Sequence, residues 1–395
     1  MSLYYGKNNK SRRGYVVKMK RYDFVMFLRG AGAIVVLLSH LLMMFWSGGV
    51  GTIWPFLSTV EVPLGLNAVN PAKFIARLHL NAGNIGVAFF FLITGFLLLE
   101  SIRKIRTPGK FLFLKCLHIY PIYIAEFTVT FIAILLYTNH IGVVFPYSFW
   151  DWLSQVSLIR VFFWLPSIDG LSWTLVADVE LYLLFTVLIV IKRISAKDLT
   201  VTGIILTFIS VICAINMPSL LEVESWYLYK MCSHITLAVF CLIFMLIGVV
   251  ISEYENENID IWQFCGAVIV LYICFIFSCY ANASDDFIAF QTVCGYSFSL
   301  LIFMTCYVLS KTGHCKQLFA NIILRKVAKI SYSLYILHGL NGYIIETYLF
   351  NIGINNYLNF IITVIVVITL SILMYYCCEK PFGKFYRRVY KKIIT

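Results

Sequence analysis

Ten apolar segments, each 18–24 residues long, dominate this chain: roughly 23–46, 84–101, 119–137, 172–191, 199–216, 234–252, 262–280, 287–310, 329–350 and 359–378. A helix of that length spans about 27–36 Å, which matches the hydrocarbon core of a bilayer. Lipid offers no partner for backbone N–H and C=O groups, so each segment has to satisfy them internally, as a helix does. Strands of an outer-membrane barrel are about 10 residues long and alternate in polarity, and these runs do neither. The expected fold class is all-α: a polytopic membrane helical bundle of about ten transmembrane helices. Composition agrees, since 61% of the 395 residues are hydrophobic and only 13% are charged. A soluble chain would carry about twice that share of charge.

The net charge of +12 is distributed along the chain in a way that gives it meaning. The segment before the first span, the even-numbered connections and the tail hold 26 Lys and Arg, counting Lys329 at a border. The odd-numbered connections hold four: Lys73, Arg77, Arg160 and Lys230. The positive-inside rule then predicts that the N- and C-termini are both cytoplasmic. It also makes membrane topology, and not nucleic-acid binding, the reason for the basic balance. The expected organisation is a basic cytoplasmic segment over 1–22, a transmembrane domain over 23–378 and a basic cytoplasmic tail over 379–395. The first apolar run is too long for the h-region of a signal peptide and is read as a retained span. The two longest connections, 47–83 and 138–171, are rich in aromatic residues, Pro and Gly, and are expected to fold over the bundle as a lid. The 12 cysteines show no C-x-x-C and no Cys/His metal spacing, so neither a zinc site nor a disulfide framework is expected.

Ionisable residues inside a membrane are costly and mark function by default. Span 1 carries Arg29 and His40. Eleven residues at 100° each bring both side chains to one face, about 16.5 Å apart along the axis. The structural alternative is that Arg29 reaches the headgroups and His40 bonds a neighbouring helix. Gly30, Gly32 and Ala33 beside Arg29 permit close approach of a helix or a ligand. Span 4 opens on Trp173-Thr174-Leu175 and continues to Asp178, Glu180 and Tyr182. Asp178 and Tyr182 are four apart and share a face, while Glu180 points elsewhere. The alternative places both acids in interfacial water. In span 9, Ser331, Tyr335 and His338 form a polar stripe at i, i+4, i+7, which suits either chemistry or an interhelical seam. Thr94-Gly95-Phe96 in span 2 marks a close-packing site. Lys115 and His118 precede span 3 at the cytoplasmic surface, where phosphate binding and plain anchoring both fit.

Together these phrases resemble the acyltransferase-3 family of integral-membrane acyltransferases. Arg29 and His40 match its Arg, ten residues, His signature. Phe89-Phe90-Phe91-Leu92-Ile93-Thr94-Gly95-Phe96 matches its second-helix pattern. Trp173-Thr174-Leu175, with Asp178 where Glu is usual and then Tyr182, matches a third phrase. Ser331 through His338 match a fourth, and Glu379-Lys380-Pro381-Phe382 the closing one. The matches keep family order over roughly 22–388. Lys115 and His118 stand where the family often has an Arg pair.

The resemblance implies transfer of an acyl group, usually acetyl, from cytoplasmic acetyl-CoA to a hydroxyl on the far side of a bacterial inner membrane. The implied acceptor is a surface polysaccharide such as O-antigen, or a lipid-linked glycan. Acetyl-CoA is then a substrate, with no tightly bound cofactor and no metal. The partners are these substrates and membrane lipids, without nucleic acid. The implied roles put Arg29, Lys115 and His118 on the donor phosphates and His40 as general base or acyl relay. Asp178 orients His40, and Trp173, Tyr182, Ser331, Tyr335 and His338 are substrate contacts or supporting groups. A polysaccharide polymerase, a flippase or a proton-coupled transporter remains the competing class.

Overall fold

The computed structural model describes residues 22–45, 50–57, 81–105, 107–163, 165, 167–222 and 225–394. Most of the basic segment 1–22 lies outside these residues, and so do Lys73, Arg77 and most of the 47–83 connection. The described chain is a helical bundle. Helix α1 (Asp23–Leu38) continues as a π-helical turn, Ser39–Met44, and a short α2 (Val50–Ile53) follows. Then come α3 (Ala82–Lys104), α4 (Pro108–His140), α5 (Phe149–Ser157) and α6 (Trp173–Val190). They are followed by α7 (Ala196–Glu222), α8 (Trp226–Glu255), α9 (Ile261–Asn282) and α10 (Asp286–Lys311). Last are α11 (Lys316–Phe319), α12 (Ile322–Leu337), α13 (Leu340–Asn351), α14 (Asn356–Met374), a π turn Tyr375–Glu379, and α15 (Lys380–Ile394).

Helix starts follow from local chemistry. Asn81, Asp260, Asp285, Asn321 and Asn355 each stand just before an apolar run, and each side chain accepts a bond from the first turn's N–H groups. These side chains satisfy donors that the helix itself leaves open.

Nine described helices are long and apolar enough to cross a membrane. The apolar segment 329–350 differs from expectation, because it is broken between α12 and α13 at His338-Gly339. The broken pair still crosses the bundle. Arg325 near its start meets Asp23 at 2.5 Å, and Tyr348 near its end faces His140, ring centroids 5.5 Å apart. Arg29 reaches Ser331 and His40 reaches His338, so α12 runs parallel to α1. Parallel first and ninth crossings fit an alternating order.

The same alternation gathers the basic ends. Arg103 on α3 and Lys311 on α10 meet Glu253 and Glu255 on α8, at 3.6 and 2.9 Å. The acidic sixth connection thus neutralises basic neighbours at the shared end, called here the basic end.

Helix α8 is the axle of the bundle. Every residue from Val239 to Glu253 is buried, as an all-round apolar helix requires. It meets α3 backbone to backbone: a Cβ on Gly95 would lie 2.0 Å from the Met245 carbonyl oxygen, and one on Gly248 would lie 2.5 Å from that of Leu92. Gly30 does the same against Leu324 of α12, and Gly86 against α1. The small residues near Arg29 therefore serve helix contact. Helices α7, α9 and α14 instead expose Ile204, Phe208, Ile273, Phe277 and Ile365, the apolar exterior that a lipid solvent permits.

Several of the expected limits shift. Helix α4 begins at Pro108, so Lys115 and His118 lie within it and not on a connection. The boundary expected at 379 falls at a π turn with helix on both sides. The connection 138–171 folds as a cap. Its helix α5 starts on a capping box in which the backbone N–H and hydroxyl of Ser148 hold the Asp151 carboxyl below its usual range. Buried Gln155 donates to Tyr123 Oη and Ser172 Oγ (both 2.8 Å), Arg160 donates to Ser172 Oγ (2.6 Å), and Tyr123 donates to Asp169 (3.0 Å). Trp54 from the other long connection donates to the Ile168 carbonyl at 2.8 Å.

Candidate active site

The seam between α1 and α12–α13 carries two polar stations. At the station nearer the basic end, Arg29 Nε donates to Ser331 Oγ at 2.6 Å. The carboxylates of Glu379 and Asp178 lie within electrostatic reach of the guanidinium. Ser333, two residues on and so about 200° around the helix, donates to Glu379 at 3.2 Å, and fully buried Glu126 lies beside the same pair.

Lys115 joins this station from α4. Its ammonium bonds Ser101 Oγ at 3.0 Å and lies 5.1 Å from the centre of the Tyr182 ring. A cation over an aromatic face is held electrostatically while its charge stays available. His118 is exposed, with its ring 5.1 Å from that of Tyr386 on α15. Asp178 has Thr94 beside it, its neighbouring charges are Lys115 and Arg29, and its Oδ1 is buried without a bond. The close-packing phrase Thr94-Gly95 thus also borders the acid of span 4.

About three helical turns along the seam from Arg29 lies the second station. His40 sits in the π turn and His338 at the break between α12 and α13, so both histidines occupy departures from α geometry. Such departures recur at functional sites because they re-aim a side chain. The two rings are perpendicular, with centroids 4.8 Å apart. His40 Nδ1 is 2.6 Å from Tyr343 Oη, and His338 Nδ1 donates to the Leu334 carbonyl at 3.0 Å. Trp54 covers Tyr343, with ring centroids 5.7 Å apart. Tyr335 lies beside His338 and is bonded by Thr174 at 2.9 Å.

The expected residues therefore separate into two groups. Arg29, Lys115, Asp178, Tyr182 and Ser331 belong to the first station; His40, Tyr335 and His338 belong to the second. The pairing of Asp178 with His40 is corrected: the hydrogen-bond partner of His40 is Tyr343, and Asp178 answers the two cations. Trp173 stands apart. Its ring meets Phe91 edge-on at 6.1 Å and lines a crevice with Glu180 and His234, which pair at 2.6 Å. Glu180 does point away from Asp178, as its two-residue offset implies. Tyr343, Glu126 and His234 escaped the sequence reading. Tyr343 lies beyond the helix break, where helical periodicity from His338 no longer applies. Glu126 stands alone in an apolar run and carried a signal that was available.

Neither the curated proteins nor the solved structures contain a match to this chain. The model of the acyltransferase-3 family, described as an acyltransferase domain, matches residues 22–376. That range takes in both stations except Glu379, and every span up to α14. A bundle with its polar groups gathered on one interior seam, matched across nearly its whole length, places this chain in the acyltransferase-3 family of membrane acyltransferases.

Proposed function

We propose that the protein transfers an acetyl group from acetyl-CoA to a hydroxyl of a bacterial surface polysaccharide, such as an O-antigen repeat or its lipid-linked precursor. In this reading the basic end faces the cytoplasm and the bundle sits in the inner membrane. The observation that carries it is the pair of stations on one seam, cationic near the basic end and imidazole-lined farther along. Arg29 and Lys115 receive the anionic phosphates of the donor, Arg29 by charge-assisted hydrogen bonds and Lys115 as a point charge. His118 borders their approach. An extended pantetheine arm bridges a separation on the order of the 16 Å rise from Arg29 to His40. The thioester then meets the acceptor hydroxyl between His40 and His338, where proton transfer by imidazole is worth about 10²–10⁴ in rate. Trp54 and the folded 138–171 cap shield that point.

Inverted membrane vesicles that enclose host polysaccharide and are supplied from outside with labelled acetyl-CoA test this. Wild-type vesicles are expected to place alkali-labile label on the polysaccharide. Arg29→Ala is expected to raise the KM for acetyl-CoA roughly 10- to 100-fold, the worth of a hydrogen bond to a charged group. Wild-type vesicles that place no label on the polysaccharide, together with loss of the protein shortening the chains or abolishing their surface display, would overturn the reading in favour of a polymerase or a flippase.

A further inference from the structure

The partner of His338 fixes which of its ring nitrogens carries a proton, and the surroundings of His40 point to the opposite arrangement. His338 Nδ1 lies 3.0 Å from the carbonyl oxygen of Leu334. A carbonyl can only accept, so Nδ1 holds the proton and Nε2 the lone pair. His338 is 1% exposed, and its Nε2 is buried with no hydrogen bond from any described residue. Buried acceptors in folded proteins are nearly always paired, so an orphaned one beside a reaction centre points to a donor that arrives with substrate. His40 shows the opposite polarity. Its Nδ1 is 2.6 Å from Tyr343 Oη, and that hydroxyl is also 3.2 Å from Met44 Sδ. The hydroxyl has one proton, and a thioether is a weak acceptor at the longer distance. Of the two acceptors the hydroxyl can reach, the imidazole nitrogen is the closer and the stronger, so we assign Tyr343 as donor to Nδ1, and the single ring proton of neutral His40 then sits on Nε2. The titratable groups facing the two rings are Tyr335 on α12 and Tyr343 on α13. No described carboxylate, Lys or Arg bonds to either ring.

We propose that the two rings divide the work of acyl transfer: His338 is the base for the acceptor hydroxyl, and His40 is a hydrogen-bond donor to the thioester carbonyl. The assignment rests on the acyltransferase reading above and reverses the expectation that made His40 the base. His338 Nε2 takes the hydroxyl proton as the acceptor oxygen bonds to the acyl carbon. The carbonyl oxygen gains negative charge, and His40 Nε2–H bonds it without giving up its proton. The C–S bond then breaks, the carbonyl re-forms, and the proton on His338 Nε2 passes to the departing thiolate. One ester and one free CoA thiol result, and both imidazoles return to their starting tautomers.

Replacement by glutamine separates the roles, because its amide keeps an N–H donor and cannot act as a base. His40→Gln is expected to lose no more than about tenfold in acetyl transfer. His40→Ala, which removes the donor, should lose about 10²–10³, as the loss of an oxyanion donor does. His338→Gln and His338→Ala should both fall by about 10²–10⁴, the worth of a general base. A His40→Gln as inactive as His40→Ala, with His338→Gln near wild type, overturns the assignment. Should His338 variants fail to accumulate in the membrane, His40→Gln alone still decides through its pH profile. Retention of the acidic limb of kcat/KM places the titrating base elsewhere than His40 and supports the proposal, and loss of that limb overturns it. Failure of the acyltransferase reading is a separate result, seen as absence of transfer by the wild-type vesicles themselves, and it removes the assignment with it.

Discussion

Asp178 shows how far the surroundings of one side chain decide its role. Its position near the start of α6 suggests a partner for His40, yet the structure sets it between Thr94, Lys115 and Arg29. There it tempers the positive field of the two cations to which the proposed function assigns the donor phosphates. Asp178→Asn keeps the size and shape of the side chain and removes the charge. Under the proposed function its expected effect is a severalfold fall in the KM for acetyl-CoA, as about 1 kcal/mol of competing charge is withdrawn. Initial-rate measurements over a range of acetyl-CoA check this. A large drop in kcat at unchanged KM would instead put Asp178 in the chemical step.

Helix contacts in lipid depend on packing, since apolar surface gains nothing by leaving an apolar solvent. That is why Gly95 and Gly248 matter to the α3–α8 contact. A methyl group on Gly95 has a backbone oxygen 2.0 Å away and has to push two helices apart. Gly95→Ala is expected to cost ~1–3 kcal/mol, the range for overpacking. Gly266 in α9 has nothing within 4 Å of the same added carbon. Gly266→Ala is expected to gain about 0.4–1 kcal/mol by restricting the unfolded chain. Thermal melts of the two variants in one detergent should move in opposite directions; equal shifts would show that the glycine contact does not hold the bundle.

The bundle as a whole has a sidedness that its charges predict. Cys315 is exposed in the connection between α10 and α12, at the basic end. In a variant retaining Cys315 as its sole cysteine, a membrane-impermeant maleimide is expected to label inverted vesicles and to spare intact spheroplasts. Labelling of spheroplasts alone would reverse the orientation of every span, and with it the direction proposed for acyl transfer.

Hydropathy and charge are properties of a segment and are written directly in its residues. They determined the all-α class and the existence and order of the spans, and helical periodicity put Arg29 and His40 on a shared face. Helical periodicity also placed Ser331 and His338 on one stripe, and that stripe meets α1. Periodicity holds only while a helix stays α-helical, however. The π turn at His40 and the break at His338-Gly339 lie where that rule lapses, so Tyr343 could not be read from the chain. Partnership between distant residues depends on how helices dock. Only the tertiary structure moved Asp178 to the cations, set Glu126 beside Ser333 and Glu379, and turned two imidazoles, 298 positions apart in the chain, to face each other.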